Sequence, residues 1–117
     1  MTTQQVANRL VELCRKGQIQ EAGAELYADS INSMEPANAP APSAKGKKAV
    51  GEKGAQFAAS IIERHGGSFS DPIVCGRYFS TAMVLDATFK GMGRMKLEEI
   101  CVYEVKDGKI VTEQFFY

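Results

Sequence analysis

Apolar residues recur at helical spacing from the start of the chain. Val6, Ala7, Leu10, Val11, Leu13 and Cys14 share one helical face. Thr2 or Thr3 can cap that helix, and Gly17 ends it in the left-handed conformation. A second short helix carries Ile19, Ala22 and Leu26 at i, i+3 and i+7, with Tyr27 beside them. Residues 29–36 read as a short extended piece closed by Pro36, which disfavours helix at Glu35. The next stretch, 36–46, holds Pro36, Pro40 and Pro42 and has little to bury. It predicts a mobile surface loop within one domain. Gly46 then opens the longest helix, with Val50, Gly54, Phe57, Ala58, Ile61 and His65 on one stripe. Gly51 and Gly54 weaken that helix and allow close packing on something flat.

After Gly66-Gly67 the period changes to two. Segments 68–75, 78–89, 94–106 and 109–117, rich in Val, Ile, Thr, Phe and Tyr, predict four strands. Residues 90–93 and 106–109 are the hairpin turns, and Asp107-Gly108 suits the positive φ of a type I′ turn. Helices followed by a meander predict an α+β fold, with the helices on one face of the sheet. The other face is apolar as well. In the strand from Arg94, Met95, Leu97, Glu99, Cys101, Tyr103 and Val105 share one side, yet Ile100 and Val102 lie on the opposite one. A second apolar sheet face in so small a protein predicts a homodimer through the outer face.

The totals narrow the partners. The 117 residues fit one domain, 1–117. Fourteen basic and fourteen acidic side chains cancel, which argues against nucleic acid because phosphate binding needs clustered excess cations. Lys45, Lys47 and Lys48 read as a solvated helix turn. Cys14, Cys75 and Cys101 are odd in number, far apart and set in apolar runs, so they predict buried, reduced thiols. With no leader pattern and no apolar stretch of about 18 residues, the expectation is a soluble cytoplasmic protein away from membranes. One histidine and dispersed acids predict no metal site, and no phosphate-cradling glycine loop suggests a cofactor.

Several strings carry a family resemblance. They are Leu10-Val11-Glu12 running into Lys16-Gly17-Gln18, Glu25-Leu26-Tyr27-Ala28-Asp29, Met34-Glu35-Pro36, Gly46-Lys47-Lys48-Ala49-Val50, and the ending from Val102 to Val111. With this order of elements, the chain resembles the nuclear transport factor 2-like superfamily, in particular its SnoaL-like and ketosteroid isomerase-like members. The resemblance implies a cone-shaped, cystatin-like fold. Three N-terminal helices would pack on a strongly curved, mostly antiparallel sheet enclosing an apolar pocket for a small apolar molecule. It also implies dimers through the outer sheet face. The superfamily mixes isomerases, cyclases and non-catalytic binders, so fold does not give the reaction.

In ketosteroid isomerase-like members, an acid followed by proline at the place of Glu35 moves a proton next to a carbonyl. The resemblance therefore implies Glu35 as a base in a cofactor-free isomerase or cyclase. The isomerase's oxyanion donors do not carry over, because their positions hold Leu10 and Cys101. Leucine donates nothing, and a thiol donates weakly. Glu99 faces into the expected cone and is a candidate acid or base, although a one-residue slip would exchange it with Glu98. Asp86, mid-strand where Asp is disfavoured, is a third candidate whose reason is the pocket, an interface ion pair or simple exposure. The expected pocket lining is Leu10, Tyr27, Phe57 and Ile61 from the first half, then Cys101, Tyr103 and Phe115. His65 reads as a helix-end residue. The alternative to an enzyme is a module that binds a small ligand or only dimerises.

Overall fold

The computed structural model describes residues 1–40 and 42–117. Helix α1 (Thr3–Arg15) begins at a capping box: the Gln5 amide donates to Thr2 Oγ1, and the Gln5 side chain accepts from the Thr2 amide. Two otherwise orphaned helix-end donors are thereby satisfied. Gly17, at φ +74°, turns the chain into α2 (Ile19–Leu26). Arg9 bridges the two helices through Glu25 at 2.7 Å.

Strand β1 (Tyr27–Met34) follows directly, and Tyr27 belongs to it rather than to the helix. The proline-bearing loop holds the two-residue β2 (Ala44–Lys45), paired with β1. Residue 41 of that loop lies outside the described residues. Helix α3 (Lys47–Ser60) is shorter than its stripe predicts. Ile61 and His65 belong instead to β3 (Ile61–Phe69), an edge strand with two irregularities in its pairing to β5 (Tyr78–Phe89). The β-branched pair Ile61-Ile62 favours strand, and Ser60 Oγ donates to the Phe57 carbonyl as the helix ends. Gly66-Gly67 therefore lies within a strand and not at its start. At Gly67 a Cβ would stand 2.6 Å from the Val84 carbonyl oxygen, so the strands approach there only because the side chain is missing.

The predicted strand 68–75 divides between the end of β3 and β4 (Ile73–Cys75), both of which pair with β5. Long β5 then pairs throughout with β6 (Gly93–Lys106), and β6 pairs with β7 (Lys109–Phe116). The β6–β7 turn has positive φ at Asp107 and Gly108, as the type I′ pattern requires. The sheet runs β2-β1-β7-β6-β5-β3 and is curved and unclosed. Its β1–β7 pair is parallel, so the sheet is mixed. The fold is α+β with three helices among the described residues, as expected.

The inner sheet face and the helices form the main core, where Val6, Leu26, Ile31, Phe79 and Ile110 are almost wholly buried. Each such side chain contributes on the order of 1.5–3 kcal/mol. A second apolar cluster, Leu85, Ala87 and Phe89 with Ile61 and Met95, lies toward the β5–β6 hairpin. Cys14 and Cys101 are buried free thiols, but Cys75, on short β4, is exposed, contrary to expectation. No helix among the described residues is long and apolar enough to cross a membrane.

Candidate functional site

Between the two apolar clusters, the concave face carries charge. The β5–β6 register places Glu99 opposite Met83 and Cys101 opposite Thr81. Glu99 therefore faces inward and Glu98 outward, which resolves the register question. Glu35 follows the end of β1, and its amide donates to Ser43 Oγ at 3.0 Å. Its side chain turns in rather than out, with 11% exposure, and its Oε2 is buried without a hydrogen-bond partner among the described residues.

Two further residues complete the cluster. Glu113 of β7 lies opposite Tyr103, is 4% exposed and accepts hydrogen bonds from the Tyr27 hydroxyl and Ser33. Lys53 projects from the α3 face that carries Val50. Its Nζ donates to Ser33 Oγ at 2.7 Å, stands 3.9 Å from Glu35 Oε1 and sits 5.5 Å from the centre of the Phe115 ring. The Tyr117 hydroxyl donates to Glu35 Oε1 at 3.5 Å.

Three carboxyls thus share one ammonium in a poorly solvated space. Burial, then the charges of Glu35 and Glu113, pushes the Glu99 carboxyl up to about 7. Burial also raises Glu35, partly offset by Lys53. Glu113 is raised by burial against the lowering effect of its Tyr27 and Ser33 hydrogen bonds. Such a cluster holds and passes a proton near neutral pH, because its members cannot all ionise cheaply. Cys101 Sγ lies 4.0 Å from Glu99 Oε1, and burial raises its thiol strongly, so it is no nucleophile.

The other expected residues separate from this cluster. Asp86 does not face it. It lies on the outer sheet face, paired with two guanidinium nitrogens of Arg94 at 2.9–3.0 Å, and that pairing lowers its carboxyl. Leu10 is core, and Tyr103 stacks on Phe79 with ring centres 4.7 Å apart. Phe57 and Ile61 belong with the second apolar cluster, Phe57 lying 5.8 Å from Phe89 between ring centres. Tyr27, Cys101 and Phe115 do border the carboxyls. The concave face is therefore more polar than the apolar pocket expected. His65 bonds Thr88 Oγ1 at 2.7 Å from within β3. Among the described residues no group of three His, Cys, Asp or Glu is placed to hold a metal.

The SnoaL-like domain family profile matches residues 1–117, the whole chain. The chain belongs to the SnoaL-like family. A protein from Mesorhizobium loti called a SnoaL-like polyketide cyclase shares 35% identity with this SnoaL-like domain over the full length of both, with a TM-score of 0.90. A Xanthomonas campestris protein with a cystatin-like fold is 16% identical over 99% of this chain and 90% of its own, at TM-score 0.78. A Catenulispora acidiphila protein with a ketosteroid isomerase-like fold, solved with trimethylamine, is 15% identical over 99% and 87%, at 0.75. The last two speak for the fold alone. No functionally curated protein matches the chain.

Glu113 and Lys53 do not stand out in the sequence. Lys53 carries a signal: it lies three residues after Val50 and four before Phe57, on the helix's apolar stripe, where a lysine needs a partner. Glu113 carries none that simple pairing would show. Continuing the Lys106–Lys109 hairpin regularly places it opposite Val102, on the outer face. An irregularity between Glu104 and Val105 of β6 adds one residue to β7 and turns Glu113 inward, opposite Tyr103.

Proposed function

We propose that this SnoaL-like domain is an enzyme that moves a proton beside the carbonyl of a small, largely apolar compound without a cofactor. Glu35 is the base, its Oε2 having no hydrogen-bond partner among the described residues. Glu99, poised near neutrality, is the acid. Lys53 brings positive charge to the oxygen that becomes an enolate, replacing the donors that Leu10 and Cys101 cannot supply. The observation that carries the reading is the meeting of Glu35, Glu99 and Glu113 around one lysine on the concave face.

The test is deuterium incorporation from D2O into a panel of small ketones and 1,3-dicarbonyl compounds, followed by NMR. Exchange should exceed the buffer rate and fall about a hundredfold or more in Glu35→Gln and Glu99→Gln. Binding without exchange would favour the alternative, a non-catalytic ligand-binding module.

The same reading takes the domain as a cytoplasmic homodimer. Ile100 and Phe116, both about half exposed, flank a shallow outer-face groove of about 230 Å³ with Ala82 and Val84. A second copy covers this groove. Light scattering at high micromolar concentration should give twice the chain mass, and Ile100→Asp should halve it. A monomeric wild type would end the proposal.

A further inference from the structure

We infer that Lys53 does more than supply charge: its amine forms a Schiff base with the substrate carbonyl, which makes the substrate a small, unhindered ketone or 1,3-dicarbonyl compound. This inference rests on the proton-transfer reading of the same site. Lys53 is only 16% exposed, it donates to Ser33 Oγ at 2.7 Å, and a carboxylate lies 3.9 Å away to take its proton. The Phe115 ring beneath it offers a flat apolar surface. Carbanion chemistry needs an electron sink beside the reacting carbon. An iminium is such a sink.

The surrounding charge suits that intermediate. An ammonium must lose a proton before it attacks, and the iminium that forms is again a cation at the same place. The carboxylates that favour the ammonium favour the iminium equally, so the electrostatic match persists after the bond forms. The atoms balance. Lys53 passes one proton to Glu35, and its nitrogen lone pair forms a bond to the carbonyl carbon. The carbonyl π pair moves to oxygen, which takes a second proton from the nitrogen to give the neutral carbinolamine. Its hydroxyl then takes a proton from Glu99 and leaves as water while the C=N bond forms. A carboxylate removes the α-proton to give the enamine. Reprotonation at carbon and hydrolysis by water then regenerate the amine. A lysine retained only as an ion-pair partner would do none of this.

The probe is acetylacetone, neutral and small, which condenses with a reactive lysine to a stable enaminone absorbing in the near ultraviolet. The intact wild-type protein is treated and its peptides are mapped for a mass gain of acetylacetone less one water. Lys53 should be modified about tenfold or more faster than the exposed Lys16, Lys90 and Lys106. Lys53→Arg should lose the absorbance band and the ketone exchange together. Because the mapping uses the wild-type chain, a variant that fails to fold does not affect it. Lys53 labelled no faster than the surface lysines overturns the inference; if exchange persists in that case, the proton-transfer reading stands alone. Selective labelling of Lys53 without any exchange upholds the nucleophilic lysine and overturns that reading instead.

Discussion

Glu99→Gln should make the protein more stable, and the gain should grow with pH. Glu99 has a folded-state pKa of about 7 against an ordinary 4.5. An acid with a raised folded pKa binds more protons when folded than when unfolded between those two values, so folding becomes less favourable as pH rises through that window. Below about pH 4.5 both states are protonated and the penalty vanishes. Above about pH 7 the penalty is complete. Each tenfold difference in proton affinity between the folded and unfolded states costs about 1.4 kcal/mol, which gives about 3 kcal/mol here. At pH 5 it is below about 1 kcal/mol. Glutamine keeps the shape and removes the titration. Urea unfolding at pH 5 and pH 8 for both proteins measures the effect. The variant should be within about 1 kcal/mol of wild type at pH 5 and clearly more stable at pH 8. Equal curves at pH 8 would mean that Glu99 is solvated, and the proton-holding cluster would lose its central member. The same substitution should abolish exchange, the stability–activity trade expected where a site stores unfavourable charge.

Two further substitutions separate the inner face from the outer. Glu113→Ala removes the acceptor of the buried Tyr27 hydroxyl and should leave the protein about 1–3 kcal/mol less stable than Glu113→Gln, which keeps an acceptor; equal unfolding midpoints for the two would refute that role. Asp86→Asn breaks only the exposed Arg94 pair and should leave carbonyl exchange at the wild-type rate, whereas a marked loss would return Asp86 to the site.

The helices and the long hairpins are readable in the sequence because each buries one regular stripe. In α1 the apolar residues fall at helical spacing behind a capping box, and in β5 and β6 the buried residues alternate almost without a break. That alternation is what points to Glu99. The α3–β3 junction is hidden for the opposite reason. Glu63-Arg64-His65 lies on a mostly exposed edge strand, so it presents consecutive polar residues that read equally as a solvated helix end. Propensity at Ile61-Ile62 favours strand, but apolar positions at Phe57 and Ile61 continue the helical spacing, and only pairing with β5 decides between them.

The site is half legible, and the missing half depends on the same kind of nonlocal pairing. Glu35 is marked by the proline after it, and Glu99 by its face. Asp86 needs a reason for its place in a strand, and the reason is Arg94, a residue two strand positions from the one opposite it. Glu113 depends on a single extra residue in β7. That irregularity exchanges the two faces of everything beyond it, bringing Glu113 and Phe115 inward and sending Phe116 outward beside Ile100. One local departure from regular pairing therefore fixes two features at once: the third carboxyl of the inner cluster and the aromatic edge of the outer groove. Any change that removes the extra residue while keeping the chain length would turn Glu113 out and Phe116 in. The site and the proposed interface would fail together.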